Sequence, residues 1–384
     1  MQKRLKPGLC ATLLFALAAA AAVAREPEAT FEILLLGDTS FGENYQDRLA
    51  AVGRESVLRT RGYDYLIGAF AELLGGASLV IANLETPITG LRRSPHRRAK
   101  AYLHYADPEL TPRTLRKFGV DVVSLANNHS LDFGAAGLDE TVDVLDRYGI
   151  AHCGAGRDAA AARRPFSHPV TLGQVRFQVF VICAFEYSRE YDTDFDFYAT
   201  ETRPGTNRLS VHAVAEQIEA IRALHRNAYI IVFPHWGRNY QLASLAQRRL
   251  ARRLIDAGGD LVVGHGSHML QQLERRRGRW IVHSLGNFVF ASPGRYAKFG
   301  APPYSMIASI RLNATGDGVE ETIRLYPIFS NNLISGYRNR FVTADEFDQV
   351  WRLLATHSVV AEGFDQIVRR GRDRHGFYLE LGGR

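Results

Sequence analysis

Five apolar runs in this chain of 384 residues end in the same kind of residue, and that habit limits the folds open to it. "FEILLLGD" ends in Asp38 and "LVIANLE" in Glu85. "VDVVSLANNH" ends in Asn128 and His129, "AYIIVFPH" in His235, and "DLVVGHGSH" in His265 and His268. Each run has a strand's length and stops at a carboxylate, a carboxamide or an imidazole. Such groups are costly to bury without partners. Helical patterns fall between the runs. One lies near residues 65–74. Another covers 111–118, with Thr111 as N-cap and Pro112 in its first turn. A third covers 138–148, with Leu138, Val142 and Leu145 on one face. The order β-α-β-α-β-α predicts an α/β fold with a largely parallel sheet and helices packed on it. In open α/β sheets, functional groups collect beyond the carboxyl ends of the strands.

The second half repeats this style. A strand is expected at 175–185, a helix at 211–224, a strand running into His235, and a helix at 244–257 stopped by Gly258 and Gly259. "RWIVHSLGNFVF" reads as a further strand leading into Gly286 and Asn287. Residues 304–328 read as two antiparallel strands. The run Arg275-Arg276-Arg277-Gly278-Arg279 reads as an exposed hairpin turn. There is no internal repeat. A hydrophobic content of 46% over this length can bury a sizeable core. One domain is expected over 30–335. A helical appendage is expected over 336–384, its last dozen residues polar and loose.

Residues 1–24 carry Lys3, Arg4 and Lys6, then an apolar Ala-rich run, then Ala22-Val23-Ala24. This is the pattern of a cleaved secretory signal peptide, which predicts a periplasmic or secreted protein; anchorage to the inner membrane is the alternative. Cleavage removes three of the 47 basic residues and none of the 40 acidic ones, leaving a net charge of +4. A mildly basic exported protein fits an anionic partner and argues against nucleic acid. Cys153 and Cys183 remain, either as buried thiols or as a disulfide.

Taken singly, each strand-end residue has an ordinary explanation as a satisfied polar group or a turn. Together they form a set of O and N donors suited to Mn, Zn, Fe or Mg. "GHGSH" places two imidazoles at i and i+3 on a glycine-bearing loop, which can serve a dinuclear site. No Gly-x-Ser-x-Gly elbow, Walker A loop or dinucleotide-binding glycine fingerprint occurs where a strand enters a helix.

The segments "LLLGDTSFG", "IANLETPIT", "SLANNHSLDFGAAGL", "PHWGRNY", "VVGHGSHMLQ" and "HSLGNFVF" occur in that order over about residues 30–290. In this the chain resembles the bacterial CapA family of capsule or poly-γ-glutamate synthesis proteins, itself similar to calcineurin-like metallophosphatases. The resemblance implies a four-layer α/β/β/α sandwich with a dinuclear divalent metal site at the strand ends. It implies Asp38 and His268 as ligands of one metal and Glu85 as the bridging carboxylate. Asn128, His235 and His265 would bind the second metal. His129 would be a general acid or substrate contact, oriented by Asp132. Asn287 and Asn83 would lie against the substrate. A metal pair of this kind clamps a phosphate and activates water. The chain departs from the pattern at three places. Asp38 is followed by Thr39-Ser40 where metallophosphatases have Asp-x-His. "HWGRNY" has Asn239 where the family has Glu. "GHGSH" replaces "GHHPH".

Two functions follow. One is a metal-dependent hydrolase of the envelope acting on a phosphoester or an anionic polymer, such as poly-γ-glutamate or a polysaccharide. The other is a non-catalytic accessory protein that guides such a polymer, alongside membrane partners of capsule synthesis. In that case Arg92, Arg93, His96, Arg97, Arg98 and Lys100 would attract the polymer. The same basic loop also reads simply as a solvated surface turn.

Overall fold

A computed structural model describes residues 30–315 and 318–382. The expected signal peptide, residues 1–24, lies outside them. The apolar runs divide their side chains between two cores. In β1 (Thr30–Ser40), Ile33 and Leu35 face a central core while Leu34 and Leu36 face an outer one. In the strand Val175–Phe185, Val179 and Val181 join the central core, and Phe180 and Ile182 face a third. Strands buried on both faces need no polar alternation, so they read as continuous apolar stretches.

Two large sheets result, one of ten strands and one of six, beside a two-stranded pair formed by Ala155–Gly156 and Gly205–Thr206. In the larger, β1 lies beside β2 (Leu79–Leu84), followed by β3 (Val122–Ser124) and β4 (Ala151–Cys153), all parallel. The antiparallel strands Tyr304–Thr315 and Gly318–Phe329 extend it on the other side of β1, so this sheet is mixed. In the smaller, Val175–Phe185, Ala228–His235 and Leu261–Val263 run parallel. The central core fills the space between the sheets. Leu115 and Leu145 of two helices cover the outer face of the larger sheet, and Ile218 and Leu254 that of the smaller. This is the α/β/β/α sandwich that the likeness to metallophosphatases implies.

Residues 336–384 are more than a helical tail. Helix Ala344–His357 starts with a reciprocal cap between Thr343 and Glu346 and packs Phe347, Val350 and Leu354 into the central core. Beyond it, Val368–Arg372 and Phe377–Leu381 form a hairpin that pairs with residues 323–325 of the larger sheet. The last dozen residues are expected to be loose. Instead, Leu379 and Leu381 alternate onto the buried face and hold the strand down. The arginine run forms the expected hairpin turn, with Arg277 and Gly278 both at positive φ, but of its arginines only Arg277 is exposed, the others being half-buried. Cys153 and Cys183 are joined in a disulfide, Cα atoms 5.9 Å apart, which ties one sheet to the other.

The site end of β1 is shaped by a close crossing. Asp38 lies opposite Asn287 of the parallel strand Asn287–Phe290. A Cβ on Gly37 would fall 1.8 Å from the Gly286 carbonyl oxygen, so only glycine fits. The register shifts beside Asp38, and such a bulge re-aims the side chain it carries.

Candidate metal centre

Asp38, Glu85, His235, His265 and His268 reach one enclosed space from four strand ends, and all five are buried. Their donor atoms fall into two sets that share one residue. Asp38, His235 and His265 form the first; Asp38, Glu85 and His268 form the second. Within each set the donors lie within 4.8 Å of one another. Asp38 Oδ1 is 3.5 Å from His265 Nδ1 and 3.9 Å from His235 Nδ1, and its Oδ2 is 3.3 Å from His268 Nδ1. Glu85 lies 3.9 Å from His268 and 3.9 Å from His235. The Nδ1 atoms of His235 and His265 face each other at 3.0 Å. Asp38 is thus the residue common to both sets, and Glu85, in the bridging place the resemblance implies, belongs to one set and approaches His235 of the other.

Buried carboxylates of this kind call for a cation. Both carboxylate oxygens of Glu85, and Nε2 of His265, are buried without a hydrogen-bond partner among the described residues. Leaving such groups unpaired costs about 1–3 kcal/mol each, more when charged. Burial raises the Glu85 pKa well above the ordinary carboxylate value, and the charge of Asp38 adds to this. Burial acts the same way on Asp38, but hydrogen bonds from His265 and His268 outweigh it and hold its pKa low. Burial favours neutral His235 and His265. Burial also disfavours charge on His268, yet Glu85 and Asp38 push its pKa up to about 10. Positive charge on this imidazole would offset the carboxylates beside it. Divalent cations would do the same, and the O/N donor chemistry fits them. The buried Asp, Glu and His groups can bind metal.

A layer of amides holds the donors. Asn83 Nδ2 donates to Asp38 Oδ1 at 3.0 Å, and its carbonyl accepts from Asn127 at 3.0 Å. Asn287 Oδ1 is 2.9 Å from His268 Nδ1. Asn83 and Asn287 are expected against the substrate, but both are fully enclosed, with their amides committed to Asp38 and His268. Asn127, for which the sequence suggests no role, also donates to the Leu84 carbonyl and accepts from the His129 amide. The glycine-bearing loop brings its own constraints. A Cβ on Gly266 would meet the His235 ring at 3.0 Å, and His268 holds a left-handed backbone at φ 62°. That conformation costs a non-glycine residue roughly 1–3 kcal/mol and tends to persist at functional sites.

Beside the donors lies a cleft of about 590 Å³ lined by Lys100, His104, Asn128, His129, Tyr240 and His268, among others. His129 Nδ1 is 2.7 Å from Asp132 Oδ2, which fixes the proton on Nδ1 and leaves Nε2 for the cleft. Asp132 is itself clamped by Lys100 Nζ and by the His104 amide at 2.6 Å. Burial, then the Lys100 and His268 charges, keep His129 neutral. The Asn128 side-chain oxygen is a further buried acceptor without a hydrogen bond among the described residues. Asn128 Nδ2 contacts Tyr191 Oη at 3.5 Å, and its backbone carbonyl accepts from Lys100.

The basic loop divides. Arg92, Arg93, Arg97 and Arg98 are exposed, while Lys100 is buried against Asp132 and the rings of Tyr191 and Phe197. The sequence offers Lys100 only as one cation of this loop and gives no signal for His104, because no periodicity shows that the loop folds back onto the strand ends.

Residues 32–292 match the family described as bacterial capsule synthesis protein PGA_cap. The chain is 27% identical over 265 residues to the capsule biosynthesis protein CapA of Bacillus anthracis, covering 67% of this chain and 59% of that one. It is 27% identical over 244 residues to the PGA biosynthesis protein CapA of Bacillus subtilis, covering 62% and 59%. A probable polyglutamine synthesis accessory protein of Mycobacterium tuberculosis is 39% identical over 217 residues, covering 54% of each chain. The matched region thus spans little more than half the length of these curated relatives.

Proposed function

The chain belongs to the bacterial capsule synthesis protein family PGA_cap, and from that premise we propose that it is an exported, metal-dependent hydrolase acting on an anionic envelope polymer or phosphoester. One observation carries this reading. Two buried donor sets sharing Asp38 open beside the cleft in which His129 and Asp132 stand. Asp38, His235 and His265 would hold one divalent ion, and Asp38, Glu85 and His268 the other. When bound, such a pair polarises a phosphoryl or carbonyl oxygen and lowers the pKa of water.

The chain's own residues do the rest. Asn83 and Asn287 keep Asp38 and His268 in line. The Lys100–Asp132 pair fixes the His129 ring, so that Nε2 meets the substrate as an acceptor. To act as an acid, His129 must first take a proton at Nε2, the one that water or a substrate hydroxyl gives up. The enclosed donors and the rings of Tyr191 and Phe197 exclude bulk water, which strengthens each of these interactions. Residues 1–24 would direct export. Among the described residues, no helix is long and apolar enough to cross a membrane.

The name of the mycobacterial relatives favours a second reading, a non-catalytic accessory protein that holds the polymer in the same cleft. Hydrolysis of bis(p-nitrophenyl) phosphate and of poly-γ-glutamate by the full-length protein separates the two. Turnover of at least one is expected with added manganese, with loss on chelation and recovery on adding the metal back. A metal-replete protein that binds polymer yet leaves both intact would refute the hydrolase and establish the accessory role.

A further inference from the structure

Arg295 stands at the rim of the cleft without an acidic partner among the described residues. Its guanidinium carbon lies 5.2 Å from the Tyr102 ring centre, 5.8 Å from that of Tyr240 and 5.7 Å from that of Phe299. Three rings at this range attract a guanidinium by cation–π interaction, and no hydrogen bond to an acidic side chain competes for it among the described residues. The platform is rigid on its inner side. Tyr240 is buried, packs edge-on against Tyr296 at 4.9 Å and stacks on Phe299 at 5.4 Å. Its outer side is open, with Tyr102 60% exposed.

Tyr240 also touches the metal centre, its ring 5.5 Å from that of His268. One tyrosine therefore separates the donor sets from an oriented guanidinium. The other cations of the cleft differ from Arg295. Lys100 is spent on Asp132, and Arg48 is exposed with no ring around it. Glu190 is the one acid among the cleft-lining residues. Asn239, immediately before Tyr240, also lines the cleft and carries no charge. A cleft of this volume exceeds what one small anion needs, and it offers two anion-receiving points in succession.

We propose that Arg295, on its Tyr102–Tyr240–Phe299 platform, is an anion subsite that takes a pendant carboxylate of a polyanionic chain whose neighbouring unit lies at the metal centre. A planar fork held by its faces matches a carboxylate through two parallel N–H bonds. The subsite sets specificity for carboxylated oligomers over neutral ones. The inference rests on the cleft being the substrate cleft.

Its test is calorimetric binding of a γ-linked glutamate decamer to the full-length protein in excess chelator. Hydrolysis cannot proceed under these conditions, so failure here and failure of the hydrolase reading are distinguishable. Arg295→Ala is expected to weaken binding at least tenfold. Arg295→Lys keeps the charge and the fold but loses the fork and the stacking, and is expected to weaken it at least threefold. A decamer whose free α-carboxylates are amidated is expected to bind the unaltered protein no better than the acidic decamer binds Arg295→Ala. Polyphosphate of matched charge is expected to bind at least tenfold more weakly than the acidic decamer. Binding by Arg295→Ala within twofold of the unaltered protein, or equal binding of the amidated decamer, would overturn the subsite. Equal or tighter binding of polyphosphate would overturn its assignment to carboxylates.

Discussion

Asp38→Ala is expected to strip both metal ions from the protein, whereas Glu85→Gln is expected to leave one behind. The asymmetry follows from the geometry, because Asp38 belongs to both donor sets and Glu85 to one. Loss of a partner behind a ligand commonly lowers metal affinity 10–100-fold. Loss of the shared ligand should cost at least ~100-fold at each position, on the same scale. Glutamine at position 85 keeps the shape and removes the charge. The set of Asp38, His235 and His265 would remain complete. Elemental analysis of each variant after gel filtration reads the stoichiometry directly. Equal loss from the two variants would make Glu85 the shared carboxylate, as the resemblance to metallophosphatases implies.

The second large effect is expected at His129. It belongs to neither donor set, and its Nδ1 is taken by Asp132. His129→Ala should therefore keep its metal while kcat on a phosphodiester falls about 10²–10⁴-fold, the usual worth of a positioned proton-transfer group. Asp132→Asn is a harsher change. Lys100 would remain buried without its carboxylate, and breaking one side of a buried pair costs about 3–5 kcal/mol. A thermal melt would report that loss apart from any effect on rate. If His129→Ala turns over at the unaltered rate, proton transfer by this ring is ruled out.

The strand ends were the legible part of the site. Asp38, Glu85, His235, His265 and His268 each close an apolar run, and parallel strands buried on both faces bring such ends to one edge of the sandwich. What surrounds them was not legible. Lys100 lies within a basic stretch whose arginines are exposed, and the buried Asp132 carboxylate, the Asn128 carbonyl and two aromatic rings make its enclosure tolerable. Tyr240 and Arg295 are far apart in sequence and meet through a short helix, Tyr296–Phe299, that no motif announces. The burial of Asn83 and Asn287 depends on the close crossing at Gly37 and Gly286, which one sequence does not reveal. Leu379 and Leu381 sit in a polar tail, and their burial requires a neighbouring strand more than fifty residues away.

The buried donors are expected to hold a dinuclear metal centre. Elemental analysis of full-length protein, prepared without chelator and exchanged into metal-free buffer, tests it most directly. Two divalent ions per chain are expected. A protein that holds none, and takes up none when offered manganese, zinc, iron or magnesium, would contradict it.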